Sequence, residues 1–305
     1  MLRPLHLLTL KAAVRSGSFA VAARDLRYTA SAVSQQIAAL EKETGLVLFE
    51  REAHSIRATA AAHRLVELGT PVLAALDDLD YQVQQLATGA TGRLRLGSFP
   101  TASVRLVPAA LAALVATHPK AQIQLTEGEP GELVTALGQG ELDLALVYEY
   151  ALSPRHWPDE LTRHTLLRED LLLLSPSGNR LNVGLPGLSR ARWITSREGT
   201  GGAQALIRLC AAAGFDADIA FRSNDYDVVR ELVSARLGVA VVPALGHAAT
   251  AGIDATRLTE RFAHRTVLAL HRTENSNPLL GTTLSALRNA VPEAEDHLHP
   301  ASSTS

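Results

Sequence analysis

Two stretches decide how the first part of this chain folds: Ser16-Gly17-Ser18-Phe19-Ala20-Val21-Ala22-Ala23-Arg24-Asp25-Leu26 and Ser31-Ala32-Val33-Ser34-Gln35-Gln36-Ile37-Ala38-Ala39-Leu40-Glu41. Each reads as a short helix, with Ser18 capping the first and Ser31 the second across a tight turn. In the second, Val33, Ile37 and Leu40 recur at helical spacing and make an apolar face. The outer face carries Ser34, Gln35 and Gln36. Small hydroxyls and amides can meet base edges in a major groove without a bulky or charged clash. The pattern is a helix-turn-helix, and double-stranded DNA is its leading partner.

Outward from that pair, a first helix is expected from Pro4 to Val14, ended by Gly17. Leu46–Arg51 and Ser55–Thr59 read as two short strands, a wing after the helices. Thr59 then caps a long helix running to about Ala87. On it Leu65, Val72, Leu79 and Leu86 stand seven apart, with Leu76 and Val83 between them. That is a coiled-coil seam for a second copy, or else a stripe packed on its own chain. The dimer is favoured, because the preceding domain looks complete and DNA half-sites call for two copies. Gly69-Thr70-Pro71 interrupts the seam and predicts a kink or restart.

Thr88–Gly92 reads as a linker. Beyond it strands alternate with helices: Arg93–Ser98, Val104–His118, Gln122–Glu127, Gly131–Leu137, Leu142–Tyr148. The pattern returns after Glu169 with Leu171–Ser175, Trp193–Thr195, Ala203–Ala213, Ile219–Arg222, Tyr226–Ala235 and Val239–Val242. Such alternation predicts a mostly parallel covered sheet, arranged as two α/β lobes with a ligand crevice between them. The tail from Pro292 to Ser305 is expected to lack structure.

At 305 residues there is room for about two domains. Residues 1–65 carry nine Lys/Arg against five acids, a net +4, while the remainder is −6. A basic unit on an acidic body suits a DNA reader fused to something else, although +4 alone is also ordinary surface variation. The single cysteine, Cys210, excludes an internal disulfide and fits a reducing cytosol. It lies in an apolar helical run and reads as a buried structural thiol. Residues 5–14 are interrupted by His6 and Lys11, unlike a signal peptide, and no apolar run reaches the ~18–20 residues of a membrane span. A soluble, cytoplasmic protein is expected.

Taken together these residues resemble the LysR-type transcriptional regulators, over roughly Leu5 to Ala290. The specific part is Gly17-Ser18-Phe19, Ala22-Ala23, Leu26, Ser31-Ala32-Val33-Ser34, Gln36-Ile37, Leu40-Glu41, Gly45, Leu48-Phe49, Arg51 and Thr59. The second half matches more loosely, through Leu106-Val107-Pro108, Gly140-Glu141-Leu142-Asp143-Leu144-Ala145, Ala213-Gly214-Phe215 and Leu237-Gly238-Val239-Ala240-Val241-Val242-Pro243. The resemblance implies an α/β multidomain chain. A winged helix-turn-helix would occupy residues 1–59, a dimerising linker helix 60–88, and a two-lobed effector domain like periplasmic binding proteins 92–291. Lobe I would take about 92–165 and 268–291, lobe II about 166–267. It further implies a homodimer through the linker helix, a homotetramer, a small-molecule effector and RNA polymerase as partners, and no cofactor or metal. The chain departs from the family pattern at Ala30, Ala62, Gly69 and Pro71.

For DNA the candidate residues are Ser31, Ser34, Gln35 and Gln36, with Arg51 and Arg57 on the wing. Gln35 can grip adenine with two hydrogen bonds, and Arg51 suits phosphate or an ion pair with Glu41 or Glu43. For the effector, loops feeding helix amino-termini favour anions. Thr101 and Ser103, Thr200 and Asn224 are the candidates there, each equally able to serve as a plain helix cap. Glu129, Tyr148 and Asp225 fall near the same crevice, and mixed charge around Arg197 and Arg222 leaves an organic acid or an amino acid as effector. The rival reading is an α/β enzyme with a regulatory DNA-binding unit. No nucleophile triad, metal spacing, P-loop or carboxylate pair supports it. The histidines look scattered singly, and Gly199-Thr200-Gly201-Gly202 lacks the context of a dinucleotide loop.

Overall fold

A computed structural model describes residues 2–51, 56–88, 92–178, 185–291 and 297–301. The linker residues 89–91, Ser55, and the tail residues 292–296 and 302–305 lie outside the described residues. So do the side chains of Arg51 and Leu86. The chain divides into two compact units, one on Met1–Ala90 and one on the body of the chain from Thr91.

The first unit is three helices, a wing and a long helix: α1 (Pro4–Ser16), α2 (Phe19–Leu26), α3 (Ala30–Thr44), β1 (Phe49–Arg51), β2 (Ile56–Ala58) and α4 (Ala60–Thr88). Gly17, at φ +63°, ends α1 in the left-handed region that favours glycine. Ser18 caps α2 as expected, accepting from the Val21 amide. The cap of α3 is Thr29 and not Ser31, with the Ala32 amide donating to its hydroxyl at 3.2 Å. Val33, Ile37 and Leu40 are sealed against Leu10, Ala13, Ala22 and Ala23. Alanines at these crossings let three short helices approach closely. Emptying the centre, as in Leu40→Ala, would cost about 2–5 kcal/mol.

The helix α4 neither stops nor restarts at Gly69-Thr70-Pro71. Thr70 Oγ1 donates to the Val66 carbonyl at 2.8 Å within the turn before the proline. Gly69 is there because α1 crosses it: a Cβ at this position would lie 3.3 Å from Leu7 Cδ2. Leu65, expected in the seam, instead packs on the core of its own unit. Leu68, Val72, Leu79 and Val83 remain exposed.

The second unit runs β3 (Arg93–Ser98), α5 (Pro100–Arg105), α6 (Val107–Thr117), β4 (Gln122–Glu127), α7 (Pro130–Gly138), β5 (Leu144–Tyr150) and β6 (Leu161–Pro176). It continues through β7 (Arg192–Thr195), α8 (Gly201–Ala212), β8 (Asp218–Arg222), α9 (Tyr226–Ser234), β9 (Val239–Pro243), β10 (Ile253–Arg257), β11 (His264–Arg272), α10 (Leu280–Asn289) and β12 (Leu298–Pro300). The single helix expected over Val104–His118 is two, because Pro108 cannot continue a helix through Leu106 and instead opens α6. Asp143 in the Gly140–Ala145 motif is a clamp: its carboxylate takes Arg95 Nη2 at 2.8 Å and the Arg95 amide at 2.7 Å.

The sheet is mixed rather than mostly parallel. β3, β4 and β5 run parallel in one lobe, and β7, β8 and β9 in the other. Between them β6 is antiparallel to everything it touches. Its residues 161–170 pair with β11, while 171–174 pair with β9 and 172–176 with β10. The strand is therefore shared by both lobes. The tail expected to be unstructured adds β12 to its middle, and Asp170 there meets Arg257 Nε at 2.9 Å and His299 Nε2 at 3.2 Å. Cys210 is buried, and burial pushes its thiol up to about 12. Among the described residues no helix is long and apolar enough to cross a membrane.

Two histidines far apart in sequence meet across β6 and β11. His164 Nε2 and His271 Nε2 lie 3.0 Å apart in stacked rings. His271 Nδ1 faces the Arg272 carbonyl at 2.7 Å, so it holds a proton and its Nε2 accepts. His164 must then donate from Nε2 and present Nδ1 to Arg288, 3.4 Å away. Burial first, then His271 and Arg288, hold His164 below the usual imidazole value. His264 is lowered in the same sense by burial and Arg168. The unfolded chain thus binds these protons more readily, so stability is present above about pH 6.5 and is lost as pH falls below it. Melting temperature should drop between about pH 7.5 and 5.5, and His164→Gln, which still donates to His271, should flatten part of that slope.

Candidate functional sites: a DNA-facing helix and an inter-lobe crevice

The exposed surface of α3 carries Ser31, Gln35, Ala38, Ala39 and Lys42, with Ser34 half-buried beside them. Ser31 Oγ sits 3.0 Å from the Thr29 hydroxyl. Gln36, expected outside, turns inwards: its Oε1 accepts from the buried Thr9 hydroxyl of α1 at 2.5 Å. That bond sets the angle between the first and third helices. The Glu41 carboxylate accepts from the Leu48 and Phe49 amides at 2.7 and 3.3 Å, and the pairing expected for Arg51 lies outside the described side chains. The wing is thereby tied to the end of α3. On the wing Arg57 is exposed and paired with Glu50 at 2.5 Å.

The crevice between the lobes is built around a buried cation. Arg265, on β11, is 2% exposed, and its Nε lies 2.6 Å from Oε1 of the fully buried Glu169 on β6. Its Nη2 donates to Thr101 Oγ1 at 2.9 Å. Its guanidinium lies 4.7 Å from the Tyr148 ring centre and 5.0 Å from that of Phe99, a cation–π arrangement. Glu169 Oε2 takes the Leu245 amide at 2.7 Å. Burial pushes the Glu169 carboxyl up and Arg265 pulls it back, while Glu169 and the neighbouring tyrosines hold Arg265 above its ordinary value against burial.

A cavity of about 30 Å³ lies against this pair. From the first lobe Tyr148 and Tyr150 project into it from alternate positions of β5, and Tyr148 donates to Glu129 Oε2 at 2.6 Å. Burial pushes Tyr148 upward, with Tyr150 and Glu129 adding to it, so the phenol stays protonated. From the second lobe come Ser196, Thr200, Asn224 and Tyr226. Thr200 caps α8 and lies 2.6 Å from the Ser196 hydroxyl, while Asn224 Oδ1 takes the Arg197 amide at 2.9 Å. A Cβ at Gly202 would stand 2.8 Å from Ser196 Oγ and 3.3 Å from the Tyr150 hydroxyl, so a larger residue there would displace the Ser196 hydroxyl.

Three of the four effector candidates therefore line one cavity: Thr101, Thr200 and Asn224. Ser103 does not; it is in α5, with Oγ buried and no hydrogen-bond partner among the described residues. Asp225 serves as the cap of α9. Sequence reading missed Arg265, Glu169, Tyr150 and Tyr226. One signal was present, because three of only five tyrosines converge here.

Comparison with known proteins places this architecture. Residues 5–63 match the bacterial regulatory helix-turn-helix protein of the lysR family, and residues 87–292 the LysR substrate binding domain. The chain belongs to the LysR family of transcriptional regulators. It is 30% identical over 220 residues to the DNA-binding transcriptional dual regulator OxyR of Escherichia coli, covering 70% of each chain. It is 28% identical over 251 residues to an HTH-type regulator, YcgK, of Bacillus subtilis, covering 75% of this chain and 76% of that one. Full-length CbnR complexed with its target DNA shares the fold at TM-score 0.63 and 24% identity, over 95% of this chain and all of that one. A full-length OxyR variant from Pseudomonas aeruginosa does so at TM-score 0.69 and 19% identity, over 94% and 95%. This LysR-type protein is thus a DNA-binding transcriptional regulator with an effector-binding domain, and the enzyme alternative finds no support among its relatives.

Removing one partner of the crevice pair should be far worse than removing both. Arg265→Met should lower unfolding free energy by about 3–5 kcal/mol, because Glu169 is left buried and uncompensated. Arg265→Met with Glu169→Leu should recover part of it in the same denaturant titration.

Proposed function

We propose that this regulator, rather than acting as an enzyme, reads its operator through α3 and reports the occupancy of the crevice to the promoter. The observation that carries this is the exposed strip of α3, uncharged and small from Ser31 to Ala39, on a helix fixed from behind by Val33, Ile37 and Leu40. Gln35 is the base reader, able to hold adenine with two hydrogen bonds. Ser31 and Ser34 flank it, and Gln36 supports it by fixing α3 on α1. Arg51 and Arg57 contribute phosphate contacts from the wing, which add affinity and salt dependence without selectivity.

The exposed apolar residues of α4, Leu68, Val72, Leu79 and Val83, support a homodimer through that helix. A second exposed apolar patch on α6 and β4, around Val115 and Leu125, suits pairing of dimers into a tetramer. We place the protein in the cytoplasm, acting on RNA polymerase at promoters. Its effector is a small organic molecule held in the crevice through Thr101, Thr200 and Asn224. Effector binding shifts the population of lobe arrangements, re-spaces the DNA-binding pairs and relaxes DNA bending.

Gln35→Ala should cost roughly 1–3 kcal/mol of preference for the operator and leave non-specific binding in place, in gel-shift titrations at fixed salt. An equal loss on both duplexes would remove base reading from Gln35. Peroxide treatment should leave operator binding unchanged, because the Cys210 thiol is buried and its protonated form favoured; footprinting before and after oxidation checks this.

A further inference from the structure

Glu129 is the charge that the crevice leaves over. It lies in the turn between β4 and α7, half-buried, with Oε2 accepting the Tyr148 hydroxyl at 2.6 Å. Among the described residues no Lys, Arg or His forms an ion pair with it. Among the described residues the only cation in the cavity wall is Arg265, already matched by Glu169 at 2.6 Å and covered by the Phe99 and Tyr148 rings. Exposed charges next to the crevice loops are mixed, Arg197 and Arg222 against Glu198 and Asp225. The wall as a whole is therefore one positive charge short of neutral.

Resting on the reading of this crevice as the effector site, we propose that the effector carries a protonated amine, received by Glu129 with Tyr148 behind it. The opposite wall offers uncharged hydrogen-bonding groups, Ser196, Thr200 and Asn224, to the remainder of the molecule. A dicarboxylate is disfavoured on the same ground: it brings like charge towards Glu129 and, among the described residues lining the cavity, meets only the already paired Arg265. The cavity of about 30 Å³ holds little more than a water or two, so the lobes part to admit the ligand and close over it. Desolvation on closure makes the Glu129–ammonium attraction stronger than it is at an open surface.

The test is a thermal-shift and calorimetric titration of the full chain at neutral pH with three sets of probes. These are ethanolamine and putrescine, alanine and serine, and malonate and succinate. Amines or amino acids should raise the melting temperature with concentration, and the two sets together tell whether an α-carboxylate is also accepted. Glu129→Gln should weaken that binding about tenfold or more, with Tyr148→Phe as a milder second variant and circular dichroism confirming the fold of each. Stabilisation by malonate or succinate alone, unchanged amine affinity in both variants, or a response to none of the six would overturn the proposal. Asn224→Ala separates the two levels. Dicarboxylate binding that it abolishes would sink the amine and keep the crevice, whereas binding indifferent to Asn224 and Glu129 alike would sink the crevice reading too.

Discussion

The second unit depends on a charge pair sealed from water. Taking a guanidinium and a carboxylate out of solvent costs several kcal/mol each, and only close geometry with every remaining polar atom satisfied offsets it. Arg265 and Glu169 meet that condition through Thr101, the Leu245 amide and the aromatic rings beside them. Their position matters as much as their strength. Glu169 lies where β6 passes from its pairing with β11 to its pairing with β9. The pair thus pins together the lobes at the floor of the crevice, where a ligand on either wall would feel it.

In the first unit the governing constraint is close approach rather than charge. Alanines at the α1–α2–α3 crossings and Gly69 under Leu7 let helices touch with little side chain between them. Two polar contacts then fix orientation: Thr9 to Gln36, and Glu41 to the first amides of the wing. A reading helix held this way loses little freedom when it enters a groove, so more of its contact energy is left for discrimination.

The amino-terminal unit was legible in the sequence because its signals are local. Gly17, Ser18, the Val33–Ile37–Leu40 spacing and Thr59 each act within a turn or two. The errors there were small, a cap two residues off at Ser31 and a glutamine turned inward. In the second unit the parallel strands were visible as short apolar or alternating runs between helical stretches, but β11, β12 and the first half of β6 were not. Their residues alternate polar and apolar among many charges, as in Thr162–Arg168, and pair with strands about a hundred positions away. Arg265 was missed for the same reason. A lone arginine gives no sign in sequence that a glutamate 96 residues earlier will neutralise it. Pro71 misled in the opposite direction, since the surrounding helix outweighed a local breaker.

The placement of β6 has a consequence for how the protein is made. This strand is synthesised well before its partners β11 and β12, which lie far downstream of it in the chain. The DNA-binding unit can be complete long before the sensing unit finds its central seam. Through that interval the edges of β6 wait without their neighbours, the stage at which such chains are most exposed to aggregation or to rescue by chaperones.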